Sequence, residues 1–210
     1  MNFQKTGAGL LATLTILSGC ATMSGDECVT SDWYAIGFED GSRGYTSDQL
    51  GNHRKACAKH GVTPDFEAYQ AGRNEGLVEF CQPARGFSLG SNGGQYRGVC
   101  SAHNEGRFLD AYNSGYHLYN LRSKVNAANY RIGANQQEME QTQALIREKE
   151  AALIARDTLT EERIVLIADL KDLAERVGQL ESEMYSHIED RTLYEQQLQS
   201  YEAVLADSGY

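Results

Sequence analysis

The chain has 210 residues, 41% of them hydrophobic, a formal net charge of −10 and five cysteines. The charge is unevenly placed: residues 134–210 carry 17 acidic and 7 basic side chains, whereas the rest of the chain carries 12 of each. So acidic a distal segment repels nucleic acid and anionic lipid, and no nucleic-acid partner is expected.

The first element is an export signal. Lys5 supplies positive charge, residues 7–17 are apolar or small, and Leu17-Ser18-Gly19-Cys20 closes the run. A membrane-spanning helix needs about 20 apolar residues, more than this run provides. The small-residue site before a cysteine reads instead as a cleaved lipoprotein signal over residues 1–19, with the lipid carried on Cys20. Acyl chains on one residue, at about 0.8 kcal/mol per buried CH2, give a lasting membrane tether. Residues 20–27 then form a short linker.

Residues 28–120 form a small domain rich in glycine and cysteine. Residues 25–115 hold 15 of the 21 glycines, both prolines, and Cys28, Cys57, Cys81 and Cys100. Four cysteines in an oxidising compartment predict two disulfides. Three pairings are open, and the shortest loops favour Cys28 with Cys57 and Cys81 with Cys100.

Within this domain an acid-x-Tyr-x-x-Gly pattern recurs at residues 32–41, 67–76 and 110–119, with Trp33 ahead of Tyr34 in the first copy. On helices, the tyrosine and the glycines of each copy share a face. Glycine costs a helix about 1 kcal/mol relative to Ala, so its repeated use predicts three helices whose backbones approach closely. Trp33, Tyr34, Tyr69 and Tyr112 are the candidates for an aromatic binding stripe. The glycine-dense stretch 86–100 reads as a loop or short hairpin closed by a Cys81–Cys100 bond.

Two chemical readings are weak. Gly86-Phe87-Ser88-Leu89-Gly90 has the spacing of a nucleophile elbow but lacks the entering strand such an elbow needs. Cys57-Ala58-Lys59-His60 and Cys100-Ser101-Ala102-His103 suggest a Cys2His2 zinc site as an alternative, but disulfides would remove the thiolates it requires. No catalytic residue, cofactor or metal is expected, and the chain is read as a non-enzyme.

Residues 121–206 form a helical rod, followed by a tail at 207–210. A heptad places Arg163, Leu170, Val177, Met184, Arg191, Leu198 and Leu205 at one core position and Leu159, Leu166, Leu173, Leu180, His187, Tyr194 and Tyr201 at the other. Val125, Ile132, Met139, Ile146 and Leu153 repeat every seven residues out of phase with these, which marks a discontinuity near residues 156–160. A continuous coiled coil is the preferred reading. Asp157, Thr158 and Glu161 could instead cap a new helix, giving a helical hairpin. A lone rod leaves its stripe in water, so a homo-oligomer or a coiled-coil partner is expected.

Residues 26–120 resemble the proteobacterial lipoproteins catalogued as domain of unknown function 2799. The residues that carry this resemblance are Asp32-Trp33-Tyr34, Gly37, Asp40-Gly41, Gly44, His53-Arg54-Lys55-Ala56-Cys57, Pro64-Asp65, Tyr69, Gly72, Gly76-Leu77, Phe80-Cys81 and Gly98-Val99-Cys100. The resemblance implies an envelope lipoprotein and no activity. Ala21, in place of Asp, is similar to the signal of lipoproteins released to the outer membrane. The expectation is therefore a mainly α, periplasm-facing scaffold in the outer membrane. The alternative is a binding module that grips peptidoglycan or an envelope protein through the aromatic stripe.

Overall fold

The computed structural model describes residues 23–208. The export signal, Cys20 and the last two residues lie outside them. The described residues form seven helices and no strand: α1 (Gly25–Thr30), α2 (Trp33–Ser42), α3 (Asp48–Ala58), α4 (Phe66–Phe80), α5 (Pro83–Ser91), α6 (Ala102–Ile154) and α7 (Thr160–Ser208). The mainly α expectation holds.

Helix starts are set by local chemistry. Asp32 accepts from the backbone N–H groups of Tyr34 and Ala35, and Asp65 accepts from that of Ala68, satisfying donors that have no partner inside the helix. Pro83 stands at the first position of α5, where its missing N–H costs nothing. That start corrects the reading of residues 86–100. The glycines at 86 and 90 lie inside a helix, and only residues 92–101 form a loop.

The head is built from two helix pairs, α2 with α4 and α5 with α6. A methyl group at Gly37 or Gly41 would collide with the carbonyl of Tyr69 or Arg73, and one at Gly72 or Gly76 with that of Tyr34 or Phe38. The second pair repeats the design, with Gly90 against the carbonyl of Tyr112 and Gly115 against that of Phe87. Backbones this close bring Cα–H groups onto carbonyl oxygens. Three mutually packed helices were expected; four helices in two pairs are found, because α5 also carries the interface glycines.

These contacts fix which residues correspond. Gly41 matches Gly90, Gly76 matches Gly115, and the left-handed glycines Gly44 and Gly93 lie against the rings of Phe80 and Tyr119. Tyr69 therefore corresponds to Phe108, and Tyr112 to Arg73. The sequence repeat that aligns Tyr112 with Tyr69 is displaced by one helical turn.

Disulfides join Cys28 to Cys57 and Cys81 to Cys100, the pairing favoured by loop length. Cys28, Trp33, Leu50, Cys57 and Tyr69 form one buried cluster; Phe80, Cys81, Cys100 and Phe108 form a second. Tyr96 pins the loop over the second cluster: its hydroxyl donates to Glu105 and accepts from the Cys100 N–H, both at 2.9 Å.

The continuous rod is replaced by an antiparallel hairpin. Arg122 pairs with Glu202 at 2.9 Å, Arg176 with Glu138 at 2.7 Å and Lys149 with Asp169 at 2.6 Å, so α7 runs back along α6. The heptad positions of α7 from Arg163 to Leu205 face α6, with Leu180 fully buried. Leu159, in the turn, is the exposed exception. Ala155 is extended, and the Thr158 hydroxyl donates to the Ala152 carbonyl at 2.6 Å. Arg163 reaches back to the carbonyls of Leu153 and Ala155, the latter at 2.6 Å. A cation on the free carbonyls at a helix end closes the turn without glycine or proline. The chain thus supplies its own partner for the stripe, which removes the original reason for expecting an oligomer through that seam.

Candidate functional site

The most distinctive polar cluster lies in the first helix pair. Asp40, on the α2 face that meets α4, is 6% exposed. Its Oδ2 accepts a 2.8 Å hydrogen bond from the Tyr69 hydroxyl and lies 2.9 Å from His53 Nε2 on α3. Trp33 and Tyr69 flank the imidazole edge-on, with ring centroids at 6.2 and 6.0 Å. The backbone beside Asp40 is held as well: Arg73, itself buried, donates to the Tyr45 carbonyl from Nη2 at 2.8 Å and from Nε at 3.3 Å.

Burial first, then the hydrogen bond and negative charge of Asp40, pushes the Tyr69 phenol well above its ordinary range, with Arg73 partly opposing. Tyr69 is therefore a standing donor to Asp40. A cleft of about 480 Å³, lined in part by Met23, Asp32, Glu39, Arg43 and Gln49, reaches Asp40 and His53 from outside. Apart from the Tyr45 phenol, its lining carries no hydroxyl or thiol. Through Asp40 the imidazole of His53 and the phenol of Tyr69 tie α2, α3 and α4 together.

The second pair lacks this cluster. Counting from the shared glycines, the place of Asp40 is taken by Leu89 and that of Tyr69 by Phe108, both in the second apolar cluster. The scaffold can therefore be closed without the polar centre, and the first pair adds it. Comparing Ala35-Ile36-Gly37-Phe38-Glu39-Asp40-Gly41-Ser42 with Ala84-Arg85-Gly86-Phe87-Ser88-Leu89-Gly90-Ser91 would have singled out Asp40 as the polar residue on an interface face.

The four residues read as an aromatic stripe do not meet. Trp33 and Tyr69 are buried in the first cluster. Tyr34 lies outside, with its hydroxyl on Glu75. Tyr112 belongs to the second half, where its hydroxyl donates to the Gly94 carbonyl at 3.0 Å. Helical phase is the reason: Trp33 and Tyr34 are adjacent on α2 and so point to different faces. A different aromatic row is present instead, in which Tyr112, Tyr116 and Tyr119 stack along α6 with centroids 5.8 and 5.9 Å apart.

Both C-x-x-H segments place their cysteine in a disulfide, so those sulfurs are not thiolate ligands. Among the described residues no three His, Cys, Asp or Glu side chains gather as a metal site. Ser88 sits within α5 and not at a strand-to-helix turn.

Residues 32–117 match the family model described as "Protein of unknown function (DUF2799)". The matched segment contains both helix pairs as far as Gly115, and with them Asp40, His53 and Tyr69. No curated protein and no solved structure matches the chain.

Proposed function

We propose that the chain is a lipid-anchored envelope protein of scaffolding type. Residues 1–19 export it, Cys20 carries the lipid, and it faces the periplasm from the outer membrane and acts through its arm, not through catalysis. The observation that carries this reading is the far end of the hairpin. Ile154, Leu159, Ile164, Val165 and Ile167 are 58 to 80% exposed there, although other rows fill the α6/α7 interface. Clustered apolar side chains in water mark a surface that another protein covers. At 1.5 Å per residue, the helix from Leu121 to Ile154 carries this tip about 50 Å from the head. The two disulfides support export to an oxidising compartment. Because α6 occupies the heptad face of α7, self-association is assigned to the tip and not to the seam.

The test is in-cell photo-crosslinking from position 164, compared with the exposed position 193 nearer the head. Adducts from 164 alone are expected, their mass separating a second copy from another envelope protein. Equal yields from both positions would contradict the tip reading. The anchor is tested separately by metabolic labelling with an acyl analogue, which Cys20→Ser should abolish.

A second reading, a module that binds peptidoglycan, is favoured by the tyrosine row on α6. Tyr116 and Tyr119 are 40% and 38% exposed, and a sugar ring can stack on such a surface. Retention on isolated peptidoglycan, lost in Tyr116→Ala, would support it.

A further inference from the structure

We propose that the groove between α3 and the loop that follows it binds the phosphate headgroups of anionic phospholipids, so that this face of the head rests on the membrane. Gly51, Arg54, Lys55 and Ala58 lie at helical spacings that put them on one face of α3. With the return segment Gly61-Val62-Thr63-Pro64 they enclose an open groove of about 550 Å³.

Arg54 and Lys55 are exposed, and Lys59 follows one turn after Lys55. Unlike Arg43, Arg122, Lys149 and Arg176, which have carboxylate partners, these three cations have none among the described residues. The carboxylate on the same helix, Asp48, accepts from the Thr46 hydroxyl at the opposite end. Three cations within six positions, without carboxylate partners among the described residues and beside a concave wall whose lining holds no Asp or Glu, match a phosphate-bearing surface in charge and in shape.

Position selects lipid from among phosphate sources. The Cys28–Cys57 bond ties α1 to the end of α3, Gly25 lies against the His60 ring, and Met23 and Val62 pack on the same cluster. Only Ala21 and Thr22 separate Met23 from Cys20, and the three steps along the chain limit the tether to about 11 Å when fully extended. An anchored head must therefore present this end to the lipid, within roughly a Debye length of its surface charge. A lipid chain and a basic patch are complementary attachment signals. The excess negative charge is carried by residues 134–210, none of which lines the groove, so a basic contact here is compatible with a net charge of −10.

The orientation rests on the lipid-anchor reading; the groove's affinity does not, and the test separates them. Residues 20–210 with Cys20→Ser, which retain every described helix, are sedimented with phosphatidylcholine vesicles that contain or lack phosphatidylglycerol. Binding only to the anionic vesicles is expected, weakening as salt is raised. At roughly fivefold per cation, Arg54→Glu with Lys55→Glu should weaken it by about 25-fold or more. Gly51→Glu is the second variant: a Cβ there meets open space, so the fold is kept while a carboxylate enters the groove. Unchanged affinity in both variants, equal binding to neutral vesicles, or no binding by the parent chain would each overturn the proposal. So would release by inorganic phosphate but not by chloride at equal ionic strength, which would assign the groove to a small anion. Failure of acyl labelling at Cys20 would remove the anchor and leave the vesicle result standing.

Discussion

The Tyr69 hydroxyl donates to Asp40 at 2.8 Å at the position where the second helix pair sets Phe108 in the cluster that includes Leu89. One scaffold position is thus closed once by a buried hydrogen bond and once by apolar packing. Tyr69→Phe should lower stability by about 1–3 kcal/mol, because it leaves a buried acceptor short of a donor. Adding Asp40→Leu, which imitates the second pair, should cost less than the sum of the single changes. Urea unfolding with disulfides intact measures both; strict additivity would show that the two side chains do not act together.

The same hydroxyl sets an alkaline limit. Burial and the Asp40 bond raise the phenol's pKa in the folded state, and burial also raises that of Tyr96. The folded chain thus holds these protons more tightly than the unfolded chain, whose tyrosines ionise near pH 10. Their stabilising contribution is complete below about pH 10 and declines as pH rises through the folded-state values. The urea midpoint should show this decline, and Tyr69→Phe should make it shallower.

Glycines in the head and in the arm should respond in opposite directions to the same substitution. Gly76→Ala drives a methyl into the Phe38 carbonyl and should cost about 1–3 kcal/mol or more. Gly133→Ala on α6 meets open space and should stabilise by up to about 1 kcal/mol. Thermal unfolding of the two variants against the parent decides the matter by sign alone.

The hairpin can be separated from a rod by one distance. Asn135 Nδ2 lies 3.1 Å from Glu183 Oε2. In a continuous helix their separation of 48 positions would span about 72 Å. Spin labels at these two positions should report a short distance, and Arg163→Ala should broaden it by uncapping the turn.

Much of the arm was legible because its period survives whatever fills the opposite side. Leu166, Leu180 and Leu205 are buried as the heptad requires. The reversal was legible only as the alternative offered by Asp157, Thr158 and Glu161 at the break in phase, and a continuous rod was preferred because the turn relies on extended Ala155 and on donors from Arg163 in the next helix, neither of which marks a turn locally. In α5, interface glycines and loop glycines look alike in composition; only the four-residue spacing of Gly86 and Gly90, after Pro83, distinguishes them. The Asp40 centre unites residues 13 and 29 positions apart, and no local pattern joins them. The disulfides followed from loop length because each closes within its own half of the head.

Both ends of the arm are fastened at the head. The Tyr201 hydroxyl donates to the Ser114 carbonyl at 3.0 Å, and its ring meets His117 edge-on at 4.5 Å. A pull applied at the turn is therefore shared by two helices loaded in parallel, and no layer between them is pried open. The same pull applied near Leu205 would peel α7 from α6 one layer at a time, beginning at Leu205 and Tyr201. The hairpin is mechanically polarised, stiff towards whatever grips its tip and weak towards whatever draws on the far end of its second helix.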